Sequence, residues 1–356
     1  MEKITPYIGS DGARNLNRIA SGLSLPYQTL RFRIMHLKDQ GISVVPIVDA
    51  GKLGLDRIRV SFKLSSAIKD HKPFFGGLHQ SAGLRYYCRA VLTNNIDTEF
   101  SIPRGSQKEL QTILQKLEEM KIIGNVKMRR LLWKDILMLK TKFFDYSKAE
   151  WDIDYSTLAG DPSVKIPVIN DSVHFDYTDL LIIKNVEIDP WIKIVDLAKK
   201  IGVPDREIAY HLNRHVLGNA LISSFRFRWI GTRDAWSKHS IIGTTYVFSE
   251  ISNEKVRHAM SVLTSTPFTW SHMRSEDGTY IVEAMYPTSQ YSEMLQYISN
   301  RFRLLDITPE IMIPDWSCVS SFTTPYMLYE KESARWGLES DRALEYVIQM
   351  IKTYSS

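Results

Sequence analysis

Apolar positions recur at helical spacing in short bursts, separated by strand-like runs, and the whole succession occurs twice. Leu16, Ile19, Ala20 and Leu23 stand at i, i+3, i+4 and i+7, the stripe of a short helix. Gly22 lies at its end, and Ser24 and Pro26 are start signals for a second helix striped by Leu30, Ile34 and Leu37 and closed by Gly41. A β-rich run, Ile42 to Val48, follows. Further on, the pattern predicts a strand at Ile58–Leu64 and a helix over Ser66–Gln80, weakened by Pro73, Gly76 and Gly77. Strands follow at Leu84–Leu92 and Ile96–Pro103, around an Asn94-Asn95 turn. A helix over Gln107–Met120 presents Leu110, Ile113, Leu114 and Leu117, and a last strand covers Val126–Leu132. The order is βαββαβ.

The second half repeats this plan. A shift of 178 residues, half of the 356, carries Leu16, Ile19, Ala20, Leu23, Pro26 and Ile34 onto Ile194, Leu197, Ala198, Ile201, Pro204 and Leu212. A shift of 184 carries Glu99, Ile102, Pro103, Leu110 and Leu114 onto Glu283, Tyr286, Pro287, Met294 and Ile298. A repeat this long duplicates a complete module. The predicted fold is therefore α+β: two copies of a winged helix-turn-helix, each followed by a ferredoxin-like domain. The expected segments are 1–52 and 53–132 for the first copy, a linker 133–172, then 173–235 and 236–313, and a tail 314–356. In the linker, aromatic residues and the Gly160-Asp161-Pro162 turn predict packing on the sheets. In the tail, Leu344, Val347, Ile348 and Ile351 predict an amphipathic helix covering another domain or a second chain. The first copy's own leading helix is short, only Ile4 to Ile8 before Gly12.

Charge sharpens the picture through its location. Residues 12–41 carry five Lys/Arg against one Asp, and residues 190–230 carry seven against three acids, so each holds +4 and the remaining residues hold −3 of the total of +5. Two corresponding segments are thus electropositive, which suits two anion-facing surfaces. In a DNA-reading helix-turn-helix the second helix enters the major groove. The off-stripe residues there are Tyr27, Gln28, Thr29, Arg31, Arg33 and His36, types able to reach base edges and phosphate. In the second copy Lys199, Lys200, Arg206, His211 and Arg214 lie outside the stripe, and Arg226 and Arg228 alternate with aromatics on a wing-like strand. Asp205 and Glu207 in the leading turn weaken that second reader.

Other chemistry is sparse. Cys88 and Cys318 occupy unrelated positions in the repeat and form no CxxC, which argues against structural zinc or a disulfide framework and fits a reducing cytoplasm. His71, His79, His174, His211, His215, His239 and His258 read as scattered, without metal-ligand spacing. No phosphate loop, HExxH or GxSxG occurs. No apolar run approaches a membrane span, and Met1 to Ser10 lacks a secretory pattern. The expectation is a non-catalytic chain with no cofactor and no metal.

Leu30-x-x-Arg33-Ile34-x-x-Leu37-x-x-x-Gly41-Ile42, followed by Lys52-Leu53-Gly54-Leu55 and the βαββαβ order, resembles the Lrp/AsnC (feast/famine) family of prokaryotic transcription regulators. The resemblance covers about residues 12 to 131 and, less closely, 176 to 312. It implies a regulator of double-stranded DNA, an effector (RAM) domain open to a small-molecule effector, and a homo-oligomer or an intrachain pseudo-dimer. Long tandem forms look most like archaeal members. The second copy departs from the pattern, with His211 in place of Arg33, and the effector-binding turn is not matched. Two rival readings stay open. One branch of this architecture, the siroheme decarboxylases, acts on a tetrapyrrole. Its counterparts here would be Tyr86-Tyr87-Cys88-Arg89 and Trp270-Ser271-His272-Met273-Arg274. The other rival is a protein-interaction module that has lost DNA binding.

Overall fold

The computed structural model describes residues 16–39, 43–137, 140–145, 148, 150–160, 166–167, 171–228, 240–303 and 308–354. The predicted leading helix at Ile4 to Ile8, the Gly41-Ile42 helix end, Asp161-Pro162 and His239 lie outside the described residues, as do the side chains of Leu37 and Arg228. In chain order the elements begin with helices α1 (Leu16–Gly22) and α2 (Tyr27–Asp39) and strand β1 (Ser43–Val48). Then come β2 (Leu55–Leu64), α3 (His71–Ala82), β3 (Leu84–Ala90), β4 (Asn95–Pro103), α4 (Gln107–Glu119) and β5 (Ile123–Ile136). The second half holds α5 (Tyr177–Ile188), α6 (Ile194–Ile201), and α7 (Asp205–Tyr210) running into a π-helical turn, His211–Val216. After β6 (Ile222–Arg228) come β7 (Ile241–Phe248), α8 (Asn253–Ser265), β8 (Thr269–Ser275), β9 (Tyr280–Pro287), α9 (Thr288–Arg303) and β10 (Glu310–Met312). The chain closes with β11 (Pro314–Ser321) and α10 (Ser340–Tyr354). The fold is α+β with antiparallel sheets.

The chain divides into two compact units, and each draws on separate stretches of sequence. One unit gathers residues 48–131, 169–223 and 314–356. Its sheet has the order β5-β2-β4-β3-β11. Along β4, Ile96, Phe100 and Ile102 join the apolar core with Phe74, Phe75 and Leu78 of α3 and Leu110, Leu114 and Leu117 of α4. Alternation sends Asp97, Glu99 and Ser101 to the opposite face. Helix α3 forms despite Pro73 and two glycines. Asp70 caps it by accepting from Lys72 N at 3.0 Å, and proline is tolerated in a first helical turn. Gly77 has a positive use, because a Cβ there would lie 3.1 Å from the Cα of Val347 on α10. The tail helix packs on α3 with Ala343 and Val347 buried, and Ser81 Oγ donates to Ala343 O at 3.2 Å.

The other unit gathers residues 1–47, 132–168 and 224–313. Its sheet runs β10-β7-β9-β8, and β1 and β6 pair separately as a two-stranded ribbon. Its core is built from Tyr246, Phe248, Met260, Leu263, Tyr280, Tyr286, Met294 and Phe302. The linker packs on this core through Trp151, whose ring lies 5.0 Å from Phe268, and through Leu158.

Candidate functional site

Strand β8 carries His272 and Arg274, which the sequence singled out only under the rival tetrapyrrole reading. His272 and Arg274 are two residues apart, so they share a face. His272 is fully buried, with Nδ1 at 3.1 Å from Tyr280 Oη on the neighbouring strand β9. Its Nε2 lies 3.7 Å from Asp135 Oδ2, ion-pair distance, and the Trp133 indole meets its ring edge-on at 5.1 Å. The result is a carboxylate–imidazole–phenol line. The imidazole, ahead of any other influence, holds the Asp135 carboxyl below its ordinary value. Burial pushes the Tyr280 phenol well up, so it stays a neutral donor or acceptor.

Two guanidinium groups complete the cluster. Arg226 is half-buried, donates from Nε to Ile136 O at 3.2 Å and interacts with Asp135. Arg274 donates from Nη2 to Ile251 O at 2.9 Å, while its Nη1 is buried without a hydrogen-bond partner among the described residues. Burial lowers both guanidinium pKa values, yet both remain cations. An unmet guanidinium nitrogen in the interior costs free energy unless an acceptor meets it. The arrangement suits an anion held by arginine beside a histidine able to give or take a proton, with an aromatic wall.

The corresponding polar face of the other unit is already committed. Arg59 is buried and bonded to Asp97, with Nε 2.9 Å from Oδ1, and it lies 3.5 Å from Glu99 Oε2 and 5.6 Å from the Tyr86 ring. Arg89 is likewise taken up by Asp315, at 3.0 Å, which raises its pKa. The Tyr86–Arg89 segment is thus a network of internal pairs.

The residues chosen from sequence as DNA contacts are placed as follows. On α2, Tyr27, Gln28, Arg31, Arg33 and His36 are exposed and Thr29 is half-buried. They share that surface with Phe32, 73% exposed, and Met35, 50% exposed. Lys199, Lys200, Arg206 and Arg214 are exposed. Arg226 points into the cluster described above and bonds a backbone carbonyl rather than standing free on a wing. His211 faces inward: its Nδ1 lies 2.9 Å from Asp179 Oδ1. His215 Nδ1 lies 3.1 Å from Asp179 Oδ2, and Asp176 Oδ2 is 3.7 Å from His211 Nδ1. These four residues form a group with metal-ligand chemistry among the described residues. The view that the histidines are scattered without such spacing is corrected, since His211 and His215 stand four apart and meet two aspartates at the start of α5.

No family model matches the chain, and no curated protein matches it in sequence. Solved structures do match in fold. The siroheme decarboxylase NirDL superposes with a TM-score of 0.56 at 12% identity, over 100% of this chain and 99% of that one. The same enzyme in co-complex with an iron-uroporphyrin III analogue gives 0.56 and 12% over 98% of each chain. At this identity the likeness is one of fold, compatible with an Lrp/AsnC-like architecture. It also overturns the expectation of a chain without catalysis, because a solved enzyme follows the same path from end to end. Among the described residues no helix is long and apolar enough to cross a membrane.

Proposed function

We propose that the chain is a tetrapyrrole-processing enzyme of the siroheme-decarboxylase kind, built from two copies of a winged helix-turn-helix and a ferredoxin-like domain. The end-to-end correspondence in fold with a siroheme decarboxylase carries this reading, since it covers 100% of this chain. The β8 cluster supports it with suitable groups. Decarboxylation breaks the carbon–carbon bond to a carboxylate. CO2 leaves, the electron pair stays on the carbon left behind, and a proton is delivered to that carbon. In this reading Arg274 Nη1 fixes a carboxylate of the ring, Arg226 adds a second positive charge, and Trp133 borders the ring plane. His272, aligned by Asp135, is the proton carrier. The cation pair also favours the anionic substrate over a neutral one.

The test is to titrate the purified chain with iron-uroporphyrin III and with siroheme, following the visible absorption bands, and then to assay CO2 release and product mass. Binding with loss of CO2 is expected. Arg274→Ala should weaken binding about 10- to 100-fold, the range for a charged hydrogen bond. His272→Ala should abolish turnover while the ring still binds. Unperturbed absorption bands at saturating chain would sink the reading.

DNA binding remains a second reading on one observation, the exposed Arg31, Arg33 and His36 on α2. Measured against salt, such binding would show a log–log slope of about −0.9 per phosphate contact, made shallower by Arg31→Ala/Arg33→Ala. No binding at low salt would dismiss it.

A further inference from the structure

We propose that Asp176, Asp179, His211 and His215 form a structural site for one divalent first-row transition cation, with Zn2+ as the natural occupant. The site lies in the unit that does not contain the β8 cluster, so it stands independently of the tetrapyrrole reading.

Local sequence builds both halves of the site. Asp176 is the N-cap of α5 and Asp179 is its third residue. Asp179 N donates to Asp176 Oδ1 at 3.0 Å and Asp176 N donates to Asp179 Oδ2 at 3.0 Å, a reciprocal capping box. The box fixes both carboxyl groups and leaves Asp176 Oδ2 and Asp179 Oδ1 turned towards His211. The two histidines stand four apart on the π-helical turn, with ring centroids 4.7 Å apart. Such turns are rare and frequently mark functional sites.

The donor atoms of all four residues lie within 4.8 Å of one another. Three separations across the group are 2.9, 3.1 and 3.7 Å. A tetrahedral zinc with bonds of about 2.0–2.1 Å has ligand–ligand edges of about 3.3 Å, so the preformed spacing already brackets the required one. Charge agrees. Asp179 has a fully buried side chain and Asp176 is 46% exposed. The ligand set brings two carboxylates together, whose negative charge a divalent cation offsets beyond the roughly half-unit positive end of α5. The half-exposed Asp176 leaves a path for entry. Two nitrogens and two oxygens, with no thiolate, suit zinc, cobalt or nickel and disfavour copper(I). Four protein ligands make a closed site, which pins the start of α5 to the π-helical turn.

The full chain, stripped with a chelator and dialysed, should take up one equivalent of Co2+ with the intense visible bands of a four-coordinate ion, and Zn2+ should displace it. Zinc should raise the unfolding midpoint. Asp176→Asn keeps a good N-cap, so the metal-free midpoint should hold while cobalt affinity falls at least about tenfold. The double variant His211→Ala/His215→Ala should lose the bands. Absence of stoichiometric Co2+ uptake by the wild-type chain would overturn the site, leaving a plain carboxylate–imidazole staple. So would equal uptake by the double variant, which would put the ion elsewhere.

Discussion

Single residues carry much of the local logic, and two of them give sharp expectations. Gly83 ends α3 with φ at 76°, and its N–H bonds Leu78 O. A Cβ there would lie 2.3 Å from Ser101 O, on the adjoining strand β4. Gly83→Ala therefore combines left-handed backbone strain with a backbone clash and should cost about 1–3 kcal/mol, read as a lower urea midpoint with an unchanged slope. His79 shows a different physics. It is buried, stacked on Phe322 at 4.4 Å, with Nδ1 at 2.9 Å from Leu84 O. Burial, ahead of the opposing hydrogen bond, lowers its pKa from 6.5. The unfolded chain takes up a proton at the ordinary value while the folded ring stays neutral. Its contribution to stability is therefore complete above 6.5 and is lost as pH falls towards the folded value. Melting temperature should drop between about pH 7 and 5, and His79→Gln should flatten that slope.

At the scale of elements, period was legible in the sequence, whereas capping and partnership were not: Ser24, read as a helix cap, lies ahead of α2 with a left-handed φ of 52°. The stripe Leu344, Val347, Ile348 and Ile351 announces a helix, and α10 spans Ser340–Tyr354. Nothing in a stripe says which surface covers it. The answer lies in Gly77, which read as a flaw in α3 and is instead the place where α10 comes close. Gly77→Val should force the two helices apart and cost about 1–3 kcal/mol, as overpacking does. Val347→Ala, which leaves a void at a fully buried position, should cost about 2 kcal/mol. Urea unfolding of both variants checks this; unchanged midpoints would mean that α10 is not part of the folded unit. The β8 cluster was half legible for the same reason. His272 and Arg274 stand together in the sequence, whereas Asp135, Trp133 and Arg226 arrive from other segments. Alternation along β6 separated Arg226 from the aromatics, but it cannot tell a solvated face from one that meets the half-exposed Asp135 carboxylate, and so Arg226 read as a phosphate contact.

At the scale of the whole molecule, duplication predicts two consecutive modules, each folding on its own stretch of chain. The two compact units are not consecutive. Residues 1–47 and 48–131 fall in opposite units, and so do residues 169–223 and 224–313. A repeating pattern of apolar positions is a property of one dimension, whereas cores are set by which apolar faces meet, a property of three. The consequence can be measured. Cutting the chain near residue 172 leaves the first half without the tail helix that packs on α3 and leaves the second half without Leu158 and the half-buried Trp151, which join its core. Each half is left with apolar core surface open to water, around Phe74, Phe75 and Leu78 in the first and around Phe268 and Tyr297 in the second. Expressed alone, residues 1–172 and 173–356 should aggregate or melt without cooperativity. Expressed together they should co-purify in equal amounts and unfold in one transition, because each restores the buried surface that the other lacks. Two halves that each fold independently as soluble, cooperatively melting monomers would refute the interleaved arrangement and restore the simple picture of modules in tandem.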